Sequence, residues 1–354
     1  MANAMLSINL AALRANYQLL KNRHAKKNIS AVVKANAYGL GVAEVSKTLA
    51  AEGCECFFVA TLDEAIELRG YLPNATIAVF NGIFRGEEKE FTAHRIIPVV
   101  NTVEQMESIQ HSAFGIQNYF IHVDTGMTRL GLAESDLKFL SSRMLNAECR
   151  MLLSHLSCAN DPTHPKNAEQ LARLHEAMKY FPNVPVSFAN SSAHFLPEAF
   201  HFDIGRPGCA LYGINPTNGE NPMQHVATLS APILQIRVLD RDEQVGYGAS
   251  YNAPKNARIA ITALGYADGY FRSLSNQGFA FVEGRKVPIA GRVSMDMIAL
   301  DISAVPPSAT NENTRAEFIN EQQTVDDIAN QCSTIGYEVF TRIGRRVKRV
   351  YTES

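Results

Sequence analysis

Short apolar runs alternate with longer stretches of helical spacing through residues 1–220. After a helical opening over Leu10 to Arg23, each run has the length of a buried strand. The runs are Ile29–Val33, Cys56–Ala60, Thr76–Phe80, Ile96–Val100, Tyr119–Val123, Met151–His155, Val186–Ala189 and Phe202–Ile204. Eight strand–helix repeats are typical of a (β/α)8 TIM-type barrel, although a doubly wound open sheet shows the same alternation. The count of eight favours the barrel, so we predict an α/β fold with a barrel over residues 1–220.

The rhythm changes beyond about Pro216, where apolar segments follow one another with turn signals between them. These segments are Val226–Leu239, Arg258–Leu264, Phe279–Val282, Lys286–Ala290 and Met297–Ile302. They predict a separate, mainly-β domain over residues 221–354. The polar stretch from Ser303 to Gln323 predicts a surface loop, and Thr324 to Gln331 predicts a short capped helix.

The composition is that of an ordinary globular protein. The 354 residues are 46% hydrophobic and 19% charged, with a formal net charge of −2. Near-neutral charge without a long basic run argues against nucleic acid as a principal partner, and no apolar stretch is long enough to span a bilayer. The N-terminal sequence MANAMLSINL lacks the pattern of a secretory signal. We therefore expect a cytoplasmic protein that does not bind membranes.

The six cysteines do not have the spacing of a metal site. Cys54 and Cys56 are separated by one residue, and the others stand alone: Cys149, Cys158, Cys209 and Cys332. Zinc sites and redox motifs use CxxC spacing, which is missing here. We expect reduced thiols and no bound metal.

Candidate chemistry begins with Lys34, at the end of the first predicted strand. A polar turn with Asn36, Tyr38, Gly39 and Gly41 follows it. Burial lowers the pKa of a lysine and makes its amine a nucleophile that can form a Schiff base with an aldehyde. The alternative is a lysine that extends its ammonium group to solvent, and position alone favours that alternative because strand-end lysines are common.

Polar residues also follow other predicted strands. The fifth strand leads into HVDTGMTRLG, His122 to Gly131; the sixth ends at His155, the seventh at Asn190-Ser191, and the eighth at GRPG, Gly205 to Gly208. Taken singly, Ser191 could cap a helix and His155 could be a core imidazole. Together on one rim of a barrel, where reactive residues collect, they indicate a site.

These strings resemble the motifs of alanine racemases, which are fold type III enzymes dependent on pyridoxal 5′-phosphate (PLP). AVVKANAYGLG carries the likeness most clearly, and the match runs nearly end to end. The resemblance implies that Lys34 binds the cofactor covalently, that Tyr38 and Ser191 contact its phosphate, and that His155 lies against its ring. It also implies the remaining cofactor contacts: Asn190, Arg206 at the pyridine nitrogen, and the backbone amides near Gly208 and Cys209.

The resemblance extends to the substrate side of the site. It implies that Arg129 contacts the cofactor's phenolic oxygen and the substrate carboxylate. VGYGASY then contains the catalytic tyrosine, which the family pattern assigns to Tyr247 rather than Tyr251. GYADGY implies that Tyr266 lines the substrate's access path, and GRVSMDM implies that Met295 binds the carboxylate through its backbone amide. Lys34 and Tyr247 would exchange protons on opposite faces of Cα, and His155 could lower the pKa of the tyrosine.

Arg206 has a chemical consequence in this setting. PLP acts as an electron sink when an acidic partner keeps its ring nitrogen protonated. Arginine cannot accept that proton, so it weakens the sink and disfavours transamination and decarboxylation. The alternative is a structural arginine paired with Asp203.

The sequence departs from the family pattern at two positions. Many members have a carbamylated lysine seven residues before the DTGM arginine, where this chain has His122. We therefore expect no carbamate, with Arg129 held by another group or by a bound anion. Near the C-terminus some members have a phosphate-binding tyrosine where this chain has Arg345, whose role we leave open.

The resemblance implies interconversion of L- and D-alanine, an isomerase reaction that supplies D-alanine for peptidoglycan. It also implies a homodimer with shared active sites, each barrel mouth being closed by the partner's second domain. Alternatives are a broader-specificity amino-acid racemase, a fold type III decarboxylase, and a non-catalytic PLP-binding protein. The decarboxylases carry a glycine-rich loop and a reactive C-terminal cysteine, whereas Cys332 ends a polar helix. A binding protein would not need the domain with Tyr247.

Overall fold

The structure, a computed structural model, describes residues 3–110, 113–141, 147–311 and 313–353. The chain forms two compact units: residues 13–224, the barrel unit, and residues 1–12 with 225–354, the β unit. The sequence predicts a barrel over residues 1–220, whereas in the structure residues 1–12 belong to the β unit. In the described part of the chain, no helix is both long and apolar enough to cross a membrane.

The barrel unit alternates strands and helices, as the apolar runs predict. Its strands are β2 (Ala31–Val32), β3 (Cys56–Val59), β4 (Thr76–Val79), β5 (Ile97–Val100), β6 (Asn118–His122), β7 (Glu148–Leu153) and β8 (Val186–Ser187). Its helices are α1 (Leu10–Arg23, which begins in the β unit), α2 (Lys34–Tyr38), α3 (Val42–Ala51), α4 (Leu62–Tyr71), α5 (Glu88–Ala93), α6 (Val103–Gln110), α7 (Glu134–Ser141) and α8 (Pro165–Met178). Short 3-10 turns follow at Ser192–Phe195, Glu198–Phe200 and Cys209–Tyr212.

The seven strands pair in chain order as one parallel sheet, and an eighth segment closes it into a ring. In that segment the Asp203 N–H donates to the Val186 carbonyl at 2.9 Å, so it lies beside β8. On its other side it accepts from the Ser30 and Val32 N–H groups, at 2.8 and 2.9 Å. Closure excludes the doubly wound open sheet.

The eighth segment is not a regular strand for two local reasons. Phe202 has a left-handed backbone with φ of 55°, and Pro207 has no N–H to donate. Its ladder is therefore reduced to isolated bridges, Ile29 with Gly205 and Ser187 with Phe202. The prediction of Phe202–Ile204 gives the correct position of the eighth segment, but this segment forms isolated bridges instead of a regular strand.

Inward-pointing apolar side chains fill the barrel. Each strand from β2 to β7 contributes at least one of these buried residues: Val32, Phe58, Ala78, Val99, Phe120, Met151 and Leu153. The Phe58 ring stacks on the Phe80 ring with centroids 4.9 Å apart. Because parallel strands share one direction, the residues that follow each strand meet at one mouth of this packed core.

The β unit is built around one long strand. Its strands are β1 (Met5–Asn9), β9 (Ala227–Val238), β10 (Glu243–Val245), β11 (Tyr251–Ala253), β12 (Arg258–Thr262), β13 (Phe279–Val282), β14 (Arg285–Pro288), β15 (Ile298–Asp301), β16 (Arg315–Ile319) and β17 (Lys348–Thr352). Its helices are α9 (Val325–Gln331) and α10 (Gly336–Arg342), with 3-10 turns at Tyr247–Ala249, Tyr266–Asp268, Arg272–Leu274 and Pro307–Ala309. The strand β9 pairs with β1, β12 and β16, and β10 forms a separate hairpin with β11.

Two features of this unit differ from the sequence prediction. The predicted loop Ser303–Gln323 contains β16, whose Ala316 and Phe318 side chains are fully buried. The N-terminal strand β1 was not predicted; it pairs in parallel with β17 and antiparallel with β9. The predicted helix is present as α9, and Thr324 caps it by accepting from the Asp327 N–H at 3.2 Å.

Candidate active site

Lys34 lies at the mouth of the barrel, directly after β2. Its Nζ is 5.9 Å from the centroid of the Phe80 ring. Burial lowers the pKa of Lys34, the positive charge of Arg129 lowers it further, and Glu64 opposes both. A lowered lysine pKa leaves more of the unprotonated amine, which is the form that attacks carbonyl compounds.

The backbone after Lys34 turns in an unusual direction. Ala35, Asn36, Ala37 and Tyr38 all have left-handed backbones with φ of 52 to 54°. This conformation costs an L-residue about 1 kcal/mol or more. The Glu64 carboxylate accepts from the Ala35 N–H at 2.6 Å, and the Asn36 Oδ1 accepts from the Val42 N–H at 2.7 Å. These bonds hold the turn in place, and strain held at one point is common at functional sites.

Tyr38, Ser191 and Gly208 form a small polar cup. The Tyr38 ring packs on the Tyr212 ring at a centroid distance of 4.8 Å. A Cβ on Gly208 would lie 2.5 Å from the Tyr38 Oη, so only glycine allows this approach. The Ser191 Oγ accepts from the Gly208 N–H at 2.9 Å and from the Ala210 N–H at 3.3 Å. Between them, buried Cys209 begins a 3-10 turn. Hydroxyls and backbone amides converging in this way suit a phosphate group.

Arg206 is buried inside the barrel without a carboxylate partner in the described part of the chain. Its guanidinium donates to the Ser187 Oγ and to the Ser154 carbonyl. Burial lowers its pKa to about 10, which still leaves it charged at neutral pH. Asp203 instead pairs with Lys26 and accepts from the Val186 N–H at 2.8 Å. The alternative of an Arg206–Asp203 ion pair is therefore wrong.

His155 and Asn190 border the same mouth. Burial and the charges of Arg206 and Arg129 lower the pKa of His155 well below its usual value, so the imidazole is neutral. The Asn190 Nδ2 donates to the Leu156 carbonyl at 3.1 Å, which ties the ends of β7 and β8 together. A neutral imidazole presents a flat face without the desolvation cost of a charged one.

Arg129 is exposed on a loop that Asp124 organises. The Asp124 Oδ1 accepts from the N–H groups of Gly126, Met127 and Thr128 at 2.8, 2.9 and 3.1 Å. Hydrogen bonds between Asp124 and the loop backbone, rather than contact with a neighbouring lysine, thus fix the position of the Arg129 backbone. His122 forms a hydrogen bond with Asn101, since its Nδ1 lies 2.8 Å from the Asn101 Oδ1. Burial and the nearby Arg206 and Arg129 lower the pKa of His122 to about 3.

The two candidate tyrosines of the β unit have different surroundings. Tyr247 lies between two left-handed glycines and is 71% exposed, with no hydrogen-bond partner for its hydroxyl in the described residues. Tyr251 donates from its hydroxyl to the Asp301 Oδ2 at 2.8 Å, and burial and this carboxylate raise its pKa to about 12. Of these two tyrosines, Tyr247 is the one whose phenol has no hydrogen bond within the described residues.

Tyr266 and Met295 lie on adjoining turns of the β unit, and both side chains are exposed. The Ala267 N–H donates to the Met295 carbonyl at 3.0 Å. Within residues 3–110, 113–141, 147–311 and 313–353, the Met295 N–H donates to no acceptor. A backbone N–H without an acceptor is able to donate to a carboxylate. Arg345 is exposed in the same unit, and its role stays open.

Several residues around the site were not foreseen from the sequence. Glu64 supports the Lys34 turn, and the capping-box pattern from Thr61 to Glu64 could have identified it. Ser187 and Phe80 carry no such local signal, because their contacts with Arg206 and Lys34 arise only in the closed barrel. Among the described residues, no cluster of His, Cys, Asp or Glu could hold a metal ion.

Comparison with known proteins identifies the family. The N-terminal domain of alanine racemase matches residues 8–216, and the C-terminal domain matches residues 226–351. The chain belongs to the alanine racemase family. Similar proteins include the catabolic alanine racemase of Agrobacterium fabrum, 43% identical over 99% of this chain and 93% of the relative. The alanine racemase of Rickettsia canadensis is 40% identical over 99% of this chain and its own full length.

Solved alanine racemases have the same fold. The Bartonella henselae enzyme, described with covalently bound pyridoxal phosphate, superposes with a TM-score of 0.91 at 37% identity over 99% of this chain and 100% of its own. The biosynthetic enzyme of Pseudomonas aeruginosa gives 0.91 at 34% identity with the same coverage. The TIM-type barrel with a C-terminal mainly-β domain is thereby confirmed, and the chain is an isomerase like the rest of its family.

Family membership also decides among the alternatives. The second domain, absent from a barrel-only binding protein, is matched as the alanine racemase C-terminal domain. A decarboxylase-type reactive cysteine finds no support, because burial raises the pKa of the Cys332 thiol and its Sγ contacts Ser273 at 3.6 Å.

Proposed function

We propose that this chain interconverts L- and D-alanine with PLP bound through Lys34. The observation that carries the proposal is the barrel mouth itself. There, strand ends of one barrel carry a lysine with a lowered pKa, a cup of hydroxyls and amides, and a buried arginine that has no carboxylate partner among the described residues. Those three features match the aldehyde, the phosphate and the ring nitrogen of one cofactor.

The residues present fit PLP on structural grounds. At Gly208 a Cβ would lie 2.5 Å from the Tyr38 hydroxyl, so the glycine lets this hydroxyl approach the backbone beside the Ser191 hydroxyl. Tyr38, Asn190, Ser191, Gly208 and Cys209 would hold the phosphate end, and His155 and Arg206 the ring. When bound, PLP supplies an electron sink for the bond between Cα and hydrogen of an amino acid.

The protein's own groups would move the proton. Lys34 takes or gives a proton on one face of Cα, and the Tyr247 phenol does so on the other. The neutral imidazole of His155 would lie against the cofactor ring without adding charge. The Arg206 guanidinium offers only N–H donors, so it cannot take a proton from the ring nitrogen and restrains the electron sink. This restraint favours simple proton exchange over competing reactions.

The substrate would be held by its carboxylate. Arg129 supplies the positive charge, and the Met295 N–H supplies a fixed donor. Tyr266 lines the access path beside Met295. Small residues such as alanine suit this arrangement, and broader specificity is the second possibility.

The proposal also covers the oligomeric state of the protein, its cellular compartment and the biological role of the reaction. We place the active site across a homodimer, because the β unit exposes four large hydrophobic side chains, Tyr247, Tyr266, Met295 and Met297. Exposed apolar side chains in a group are typical of contact surfaces. All six cysteines are free thiols, which fits a reducing cytoplasm. We propose that the reaction supplies D-alanine for peptidoglycan. Expression of the protein in a bacterium that requires D-alanine would test this role, because a functional enzyme should restore growth without added D-alanine.

The direct test is incubation of the purified, PLP-loaded protein with L-alanine in D2O. A racemase loses optical rotation and exchanges the Cα hydrogen for deuterium. A decarboxylase releases CO2, and a binding protein does neither, so either result would reject the proposal. A panel of other L-amino acids, each followed for its D-enantiomer, separates an alanine-specific enzyme from a broad one.

A further inference from the structure

The two turns of the β unit that carry Tyr266 and Met295 are joined backbone to backbone. The Tyr266 N–H donates to the Ser294 carbonyl at 3.0 Å, parallel to the bond from Ala267 to Met295. A Cβ on Gly265 would lie 2.2 Å from the Met295 carbonyl oxygen, so glycine is needed for this approach. A shift of one turn must therefore move the other.

One arginine reaches the acidic side chains of both turns. Arg346 places its Nε 3.1 Å from the Asp268 Oδ1 and its Nη1 2.8 Å from the Asp296 Oδ1. Asp268 ends the turn that begins with Tyr266, and Asp296 directly follows Met295. The planar, forked guanidinium suits two carboxylates at once, which a lysine ammonium does not.

The Asp268 half of this bridge is buried. The Asp268 side chain is 5% exposed, and its other oxygen accepts from the Gly265 N–H at 2.8 Å. The segment that carries Arg346 is anchored at the same turn, since the Gly344 N–H donates to the Asp268 carbonyl at 2.9 Å. Without the arginine, the buried Asp268 carboxylate would lose the one cationic partner that it has among the described residues, and the two carboxylates would repel each other.

We propose that Arg346 is a positioning residue for the substrate carboxylate. By bridging Asp268 and Asp296, it fixes where the Met295 N–H points relative to Tyr266. The inference rests on the proposed function, which assigns that N–H to alanine binding. A misplaced donor weakens binding steeply, because hydrogen bonds depend on distance and angle.

The test compares four variants in steady-state racemisation of alanine. Arg346→Ala should raise KM about tenfold and change kcat less than about threefold, since it disturbs binding of the carboxylate rather than the proton-transfer groups. Arg346→Lys should restore part of the loss. Asp296→Asn leaves the buried Asp268 pair intact, so it should fold even if Arg346→Ala does not, and should raise KM in the same direction. Arg241→Ala removes an exposed arginine paired with Glu243 at 2.6 Å in the same unit, and should keep the wild-type KM.

Hydrogen–deuterium exchange gives a readout that does not depend on turnover. Backbone amides of residues 294–297 should exchange faster in Arg346→Ala and Asp296→Asn than in Arg241→Ala. In the double variant Arg346→Ala/Asp296→Asn, the increase in exchange rate should be smaller than the sum of the two single increases, because both substitutions break the same bridge.

The proposal is overturned if Asp296→Asn and folded Arg346→Ala both keep the wild-type KM and exchange rates. A fall in kcat with KM unchanged would also overturn it. If wild-type protein and Arg241→Ala both fail to racemise alanine, it is the proposed function that fails. The exchange measurement then still decides whether Arg346 fixes the Met295 turn.

Discussion

Arg206 and Ser187 are hydrogen-bonded inside the barrel, where the arginine donates from Nη1 to the serine Oγ. This bond, with the one to the Ser154 carbonyl, aims a permanent positive charge toward the barrel mouth. Within the part of the chain that the structure describes, no carboxylate pairs with Arg206 to neutralise this charge.

We expect Arg206→Glu to lose most racemase activity, about 10²-fold or more, and to gain transamination. A carboxylate would let the cofactor's ring nitrogen keep a proton and so strengthen the electron sink. The measurement is D-alanine formation together with pyridoxamine phosphate by chromatography. Ser187→Ala is the milder companion, because it removes one hydrogen bond and leaves the charge. Unchanged activity in a folded Arg206→Glu variant, with no pyridoxamine, would show that the arginine is merely structural.

We expect the purified protein to be yellow with bound PLP, and borohydride reduction to fix the pyridoxyl group on Lys34. The reason is the lowered pKa of this amine at the barrel mouth. Peptide mapping by mass spectrometry locates the label. Lys26, an exposed lysine paired with Asp203, serves as an internal control that should stay unlabelled. A label on any other lysine would contradict the assignment.

The barrel was readable from the sequence because strands buried on both faces must be apolar throughout. Each predicted run overlaps its strand or, for Phe202–Ile204, the segment that closes the ring. The strand β1 was missed because it is short and its partners β9 and β17 are distant along the chain. Strand β16 was missed because its three buried side chains, Ala316, Phe318 and Ile319, lie within a polar, proline-containing stretch.

The candidate site also contains residues that the sequence identified and contacts that it did not. Lys34 and Tyr38 stand in a recognisable string, so a resemblance could point to them. The left-handed backbone from Ala35 to Tyr38 could not be foreseen, because only the closed structure brings Glu64 to the Ala35 N–H. The bridge from Arg346 to Asp296 joins residues fifty positions apart, and no local pattern reports it.

We expect no carbamate beside Arg129. His122 stands at the position where many members have the modified lysine, and its ring is bonded to Asn101. Activity should therefore be the same in buffers stripped of CO2 and in buffers with added bicarbonate. An activity that rises with bicarbonate, or electron density for a modified lysine next to Arg129, would contradict this expectation.

Three buried histidines behind the Asn190-Ser191 turn should make the protein sensitive to acid. The His24 ring lies 5.2 Å from the His201 ring and 5.6 Å from the His194 ring, measured between centroids. Burial lowers the pKa of His194 to about 3, and its Nδ1 lies 2.7 Å from the Asn190 carbonyl oxygen. The charged groups that act on the cluster are Lys26, Asp203 and Glu198.

The sign follows from these pKa values. The unfolded chain takes up a proton on His194 near pH 6.5, whereas the folded chain does so only near pH 3. The free energy of unfolding should therefore be highest above pH 6.5 and fall as the pH drops toward 3, by up to about 1.4 kcal/mol per pH unit for this residue. His194→Phe, which cannot be protonated, should flatten the slope of urea-derived stability against pH. His164→Asn, at an exposed helix cap, should leave the slope unchanged. An equal slope in wild type and His194→Phe would refute the assignment.

The last prediction concerns the proposed sharing of active sites between two subunits. If Lys34 of one chain works with the phenol of the other, Lys34→Ala and Tyr247→Phe homodimers should each be nearly inactive, because each lacks one of the two proton-transfer groups. Unfolding and refolding the two variants as an equal mixture should form hybrids. One site of each hybrid would carry both substitutions, and the other would carry neither. With random pairing about half of the dimers are hybrids, so roughly a quarter of wild-type activity should return. Refolding each variant alone is the control. If both groups came from one chain, no hybrid would contain an intact site, and mixing would restore nothing.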